Sequence, residues 1–133
     1  MEKFTLTRTG DRPLSFTGER IASADGYLHG GQQQNRWHEI AVYATESGKF
    51  VGHVAYRTAW QGEDSHYLAF FSQYLADVVD ELRAYDPTEF LVGFPPHENF
   101  ADKQLRLIQS LRLRWASLLT DVFDELPDVA EEI

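Results

Sequence analysis

The chain has 133 residues, enough for one domain with a true core and too few for two. Three Trp, six Tyr and nine Phe exclude a chain disordered throughout, and the absence of cysteine excludes disulfides, thiol catalysis and zinc–thiolate centres. A net charge of −9 argues against duplex nucleic acid as a ligand, and no apolar run approaches the roughly 20 residues of a membrane helix.

Met1 to Arg8 has no apolar core flanked by basic residues, so no signal peptide is expected, and the lack of cysteine fits a cytoplasmic protein. Phe4, Leu6 and Arg8 alternate with Lys3, Thr5 and Thr7, the pattern of a strand. Gly10-Asp11-Arg12-Pro13 supplies a turn, and a second alternating run from Leu14 to Ile21 heads toward Asp25-Gly26. Gly30-Gly31-Gln32-Gln33-Gln34-Asn35 reads as a flexible loop. The plainest unit is a β-hairpin. Arg36 to Thr45 and Phe50 to Trp60 flank Glu46-Ser47-Gly48-Lys49, with Gly48 suited to a left-handed turn position. Its length and its β-branched and aromatic content place it centrally, with Ile40, Val42, Val54 and Tyr56 in the core. A further strand, about His66 to Phe71, follows the turn Gln61-Gly62-Glu63-Asp64.

The apolar period then changes. Ser72 is a suitable N-cap, and Leu75, Val78, Val79 and Leu82 recur at helical spacing, opposite Asp77, Asp80, Glu81 and Arg83. Asp86-Pro87 ends that helix, because proline disfavours helical geometry in the residue before it. Phe90 to Phe94 is either a short buried strand or an extended loop, and Pro95-Pro96 extends the chain beyond it. Asn99 caps a last helix whose apolar stripe is Leu105, Ile108, Leu111, Trp115, Leu118, Leu119, Val122 and Leu126, and Pro127 ends it. The expected architecture is α+β. An antiparallel four- to five-stranded β-meander over about residues 3–71 precedes two α-helices, about 73–84 and 100–126, packed on one face of a single domain.

Four features recur together: Trp37-His38-Glu39 at a strand start, the hairpin Tyr43-Ala44-Thr45-Glu46-Ser47-Gly48-Lys49, the Gly62-Glu63 turn, and the helical Val78-Val79. In these, about a third of the chain resembles a family of small uncharacterised bacterial proteins. The resemblance implies a hairpin-plus-helix fold and no activity.

Chemistry has few candidates. In a register that sets Thr45 opposite Phe50, His38 faces Arg57, Val42 faces His53, and all four share a face; a slip of one residue separates them. With Glu39 nearby, and Glu63, Asp64 and His66 approaching from strand ends, a two-histidine, one-carboxylate site could be built, although no ligand spacing supports a bound metal. Ordinary surface or half-buried histidines explain the same residues. No serine lies in a nucleophile-elbow context, and no glycine run matches a phosphate loop. No cofactor is expected. Trp60, Glu63 and Asp64 form a candidate binding rim at a sheet end, with Trp60 as a core-edge residue the simpler reading.

Charge asymmetry is the strongest signal that is not structural. Residues 1–66 carry a net −1 and residues 67–133 a net −8. The last helix begins with Lys103, Arg106, Arg112 and Arg114 and ends with Asp121, Asp124 and Glu125, which oppose the helix dipole. Such a broken rule marks either a partner surface or a solvated, fraying end. Leu113 lies off the apolar stripe. An antiparallel homodimer through this helix would cover it and pair basic with acidic halves. The favoured function is a non-enzymatic protein-interaction module that self-associates or takes a basic protein partner, without nucleic acid or membrane. The alternative is a small enzyme or metal-binding protein using His38, Glu39, His53 and Arg57. An acidic DNA mimic fits the modest charge density only loosely.

Overall fold

Alternation in the first half becomes five strands: β1 (Glu2–Leu6), β2 (Leu14–Asp25), β3 (Arg36–Thr45), β4 (Phe50–Thr58) and β5 (His66–Ser72). Each pairs antiparallel with the next, in the order β1-β2-β3-β4-β5. Two helices follow, α1 (Leu75–Ala84) and α2 (Phe100–Glu125), which gives the α+β meander expected from the sequence. The computed structural model describes residues 1–27, 35–59, 62–91 and 100–127. Residues 30–34 of the loop expected at 30–35, Trp60, Pro95-Pro96 and the cap at Asn99 lie outside the described residues.

Both helices cover one face of the sheet, α1 against β4 and β5 and α2 against β2 and β3. Even-numbered residues of β3 and β4 point toward them. Ile40, Val42 and Val54 pack with Ala22, with Val78 and Leu82 of α1, and with Trp115, Leu118 and Val122 of α2. Tyr56 is buried on the same side. Each large apolar side chain enclosed this way contributes about 1.5–3 kcal/mol. Among the described residues, no helix is long and apolar enough to cross a membrane.

Gly52 makes the α1 contact possible. It is the cross-strand partner of Phe70, and a Cβ there would lie 2.3 Å from the Phe70 ring and 3.0 Å from Val78. Gly52→Ala is therefore expected to cost about 1–3 kcal/mol, the usual range for overpacking. Urea unfolding should show a lower midpoint with an unchanged slope; an unmoved midpoint would contradict the close approach.

The other face is concave, because β1 curls over it. Leu6 packs with Tyr43, Val51 and Ala69, which belong to β3, β4 and β5. Phe4 and Phe16 set their rings 4.7 and 5.2 Å from that of Tyr43. Beyond β1, the Thr9 N–H donates to the Tyr67 carbonyl at 2.8 Å, and the Tyr67 N–H donates to Thr9 Oγ1 at 2.8 Å. The two edges of the sheet therefore meet at one end, as in a barrel closed only in part.

Three local expectations change. Ala44, not Thr45, lies opposite Phe50. Thr45 donates its N–H to the Lys49 carbonyl at 2.8 Å, so Lys49 belongs to the ladder and the loop is Glu46-Ser47-Gly48, with Gly48 at φ 86°. That is a three-residue loop closed by a left-handed glycine. Ser72 ends β5 rather than capping α1, which starts after Tyr74 without a side-chain cap. The Ser72 hydroxyl instead donates to Asp77 at 2.5 Å and accepts the Tyr74 N–H at 3.2 Å, fixing the strand-to-helix turn. Leu105, expected in the apolar stripe, is 54% exposed, because α2 meets the sheet through Leu111, Trp115, Leu118 and Val122 nearer its C-terminal end.

Candidate functional site in the mouth of the curled sheet

The concave face is assembled from odd-numbered residues of β3, β4 and β5. Across the sheet, Ala41 pairs with His53 and His53 with Ala69, while Glu39 pairs with Ala55 and Ala55 with Tyr67. A bulge in β2 between Arg20 and Ala22 brings in Arg20 opposite Tyr43, Ser23 opposite Ala41 and Asp25 opposite Glu39. Without it, one half of β2 would show this face its opposite set of side chains. One end of the concavity is filled by Leu6, Tyr43, Val51 and Ala69. At the other end Ala41 and Ala55 are too small to fill it. What remains is an open cleft of about 460 Å³, walled by Arg20, Ser23, Asp25, Glu39, Tyr43, His53, Arg57 and Tyr67.

Its polar groups hold one another in place. Arg57 donates from Nε to Glu39 at 2.6 Å, and its guanidinium lies 5.5 Å from the centre of the Tyr67 ring. His53 stacks parallel to Tyr67, 6.4 Å between centres and 10° between planes. Its Nε2 is 3.1 Å from the Thr7 carbonyl, an acceptor only, so Nε2 carries the proton. Burial pushes the His53 pKa below its ordinary value; the Thr7 carbonyl and the Glu39 charge oppose that shift, and Arg57 adds to it. The imidazole is therefore neutral at neutral pH, and the cleft sets two arginines against two carboxylates.

A second polar cluster lies under the helices. Arg36 donates Nε and Nη2 to the Glu63 carboxylate at 2.7–3.0 Å, and the Tyr56 hydroxyl donates to the same carboxylate. His38 sits beside it among the rings of Tyr56, Tyr85 and Trp115, with centres 5.1, 5.7 and 5.1 Å away. His38 Nε2 and Trp115 Nε1 are buried with no hydrogen-bond partner among the described residues. Burial pushes the His38 pKa down to about 4, and the Arg114 charge adds to the shift. The geometry of the Arg36–Glu63–Tyr56 contacts is that of a clasp tying the turn at Glu63 to the start of β3.

The one-residue difference in hairpin register decides the fate of the sequence candidates. Glu39, His53 and Arg57 come together in the cleft, whereas His38 is on the opposite face under α2. The two-histidine site is therefore not formed, and among the described residues no group of three His, Cys, Asp or Glu side chains is placed to hold a metal ion. Glu63, expected on an exposed rim, is buried against Arg36; Asp64 is exposed, and Trp60 lies outside the described residues. On α2, Leu113 is 71% exposed, and Asp124 and Glu125 are exposed. Asp121 is half-buried, and Glu125 accepts the Ser23 N–H at 3.4 Å. Sequence reasoning missed Arg20, Asp25 and Tyr67. A readable signal was the pair of alanines, Ala41 and Ala55, at core-like positions of a central hairpin, where larger residues would close the sheet. No protein-family model, no curated protein and no solved structure matches this chain.

Proposed function

We propose that the chain is a non-catalytic binding protein that takes a small polar ligand into the mouth of its curled sheet. The observation that carries this reading is the cleft itself. It is about 460 Å³, floored by Ala41 and Ala55 and rimmed by the Arg57–Glu39 pair, Asp25, His53 and Tyr67. Barrel mouths are preferred ligand sites, and this volume falls within the range of small-molecule pockets, about 300–1,000 Å³. A fragment library screened by nitrogen–proton correlation NMR should move the amides of Ala41, Ala55 and Tyr67. Ala41→Leu, which fills the floor at a half-buried position, should abolish those shifts while the protein stays folded. A library that leaves all three amides unmoved would overturn the reading.

Self-association through α2 is a second reading, favoured by Leu105 and Leu113, which are 54% and 71% exposed on its outer side. An antiparallel partner would bring Arg106 and Arg112 toward Asp124. Each exposed ion pair adds only about 0.2–1 kcal/mol, so the leucines must supply the affinity. The same acidic end could take a basic protein partner. Light scattering after size exclusion at micromolar concentration should give a dimer that Leu113→Glu converts to monomer. A wild-type monomer, or a dimer indifferent to the substitution, rejects this interface.

A further inference from the structure

Building on the binding reading above, we infer that the cleft takes a small zwitterion of the free α-amino-acid class, with an ammonium and a carboxylate on one compact body. Asp25 and Glu39 are direct cross-strand partners on the same face, so two carboxylates stand side by side in the cleft. Like charges so placed weaken a ladder unless a cation joins them. Arg57 hydrogen-bonds Glu39 alone, through Nε, while its charge also acts on Asp25; Asp25 accepts only the Tyr27 N–H, at 2.9 Å, so each carboxylate keeps one oxygen with no hydrogen bond among the described residues. A ligand ammonium between them accepts that offer. Arg57 supplies the opposite pole. With Nε on Glu39 and its face on Tyr67, its two terminal amino groups are left as a fork of the kind that grips a carboxylate. The ligand body then lies over Ala41 and Ala55. A lone anion would sit beside two carboxylates, and a lone cation would leave the fork of Arg57 empty; Arg20 balances the remaining charge of the cleft, which suits a ligand of no net charge.

The test titrates the isotope-labelled chain with free L-amino acids singly, each beside its N-acetylated and its C-amidated form. At least one free amino acid should move the amides of Ala41, Ala55 and Tyr67. Either cap should weaken it about 10-fold, the loss expected for one charge-assisted hydrogen-bonded contact. Asp25→Asn should remove the penalty of acetylation and Arg57→Gln that of amidation. Caps without effect on the wild-type protein overturn the inference. So does binding that survives amidation but not acetylation, which marks a peptide N-terminus. If no amino acid binds while other members of the fragment library move the same amides, the zwitterion fails and the binding reading stands. If nothing moves them, both fail.

Discussion

Replacing Arg36 by Met is expected to cost about 3–5 kcal/mol of folding stability, the usual result of stranding one member of a buried ion pair. The Glu63 side chain has 0% exposure, and Arg36 supplies its charge partner from 27 positions away in sequence. Without it, the carboxylate keeps the Tyr56 hydroxyl and loses the guanidinium. Arg36→Met combined with Glu63→Leu should recover most of the loss, since the desolvated charge goes with its partner. The pH dependence follows from the same contacts. Burial pushes the Glu63 carboxyl up, but the hydrogen bonds from Arg36 and Tyr56 override it and hold the pKa below its ordinary value. In the wild type this contribution is present above the ordinary carboxylate pKa and is lost as pH falls through the depressed one. In Arg36→Met burial prevails and the carboxyl rises, so the deficit should be largest near neutrality and shrink on acidification. Urea unfolding at about pH 7 and about pH 5, just above the ordinary glutamate value of ~4.3, measures it. Equal deficits at both would place the cost in packing rather than in the carboxylate.

The two periodicities, two in the first half and 3.6 in the second, made the five strands and two helices readable. Burial of Ile40, Val42, Val54 and Tyr56 follows from the same alternation. The hairpin register was not readable, because Gly48 fits a loop of either three or four residues. That difference alone sends His38 to the helices and leaves Arg57 in the cleft. The bulge that turns Arg20 inward and the curl that brings Leu6 to Ala69 depend on contacts far apart in sequence and have no local signature. Glu63 looked like a rim residue because its turn is polar. The better clue was on β3, where Arg36 and His38 occupy the same alternate positions as Ile40 and Val42, the ones that face the core. Polar residues in such places announce a buried network rather than a surface.

His38 is the other member of that pattern, and it makes the fold sensitive to acid. It is 3% exposed, walled by Tyr56, Tyr85 and Trp115, and its pKa is pushed down to about 4 by burial first and by Arg114 second. In the unfolded chain it has the ordinary value near 6.5. Between those two values the unfolded state holds a proton that the folded state does not, so stability rises with pH across the window and is lost as pH falls from about 6.5 to about 4. At about 1.4 kcal/mol for each tenfold in proton affinity, the loss is about 3 kcal/mol. His38→Phe removes the titration while keeping a ring among rings. It also removes a buried nitrogen that has no hydrogen-bond partner among the described residues, so no bond is sacrificed. The variant should match or exceed the wild type at neutral pH and lose about 3 kcal/mol less on the way to about pH 4. Its remaining acid loss should come from carboxyls held low by their partners, Glu63 by Arg36 and Asp86 by Thr88. Urea midpoints of the two proteins, followed from neutral pH down through the window, decide it. Parallel curves would mean that His38 takes up its proton as easily folded as unfolded, and would overturn the prediction.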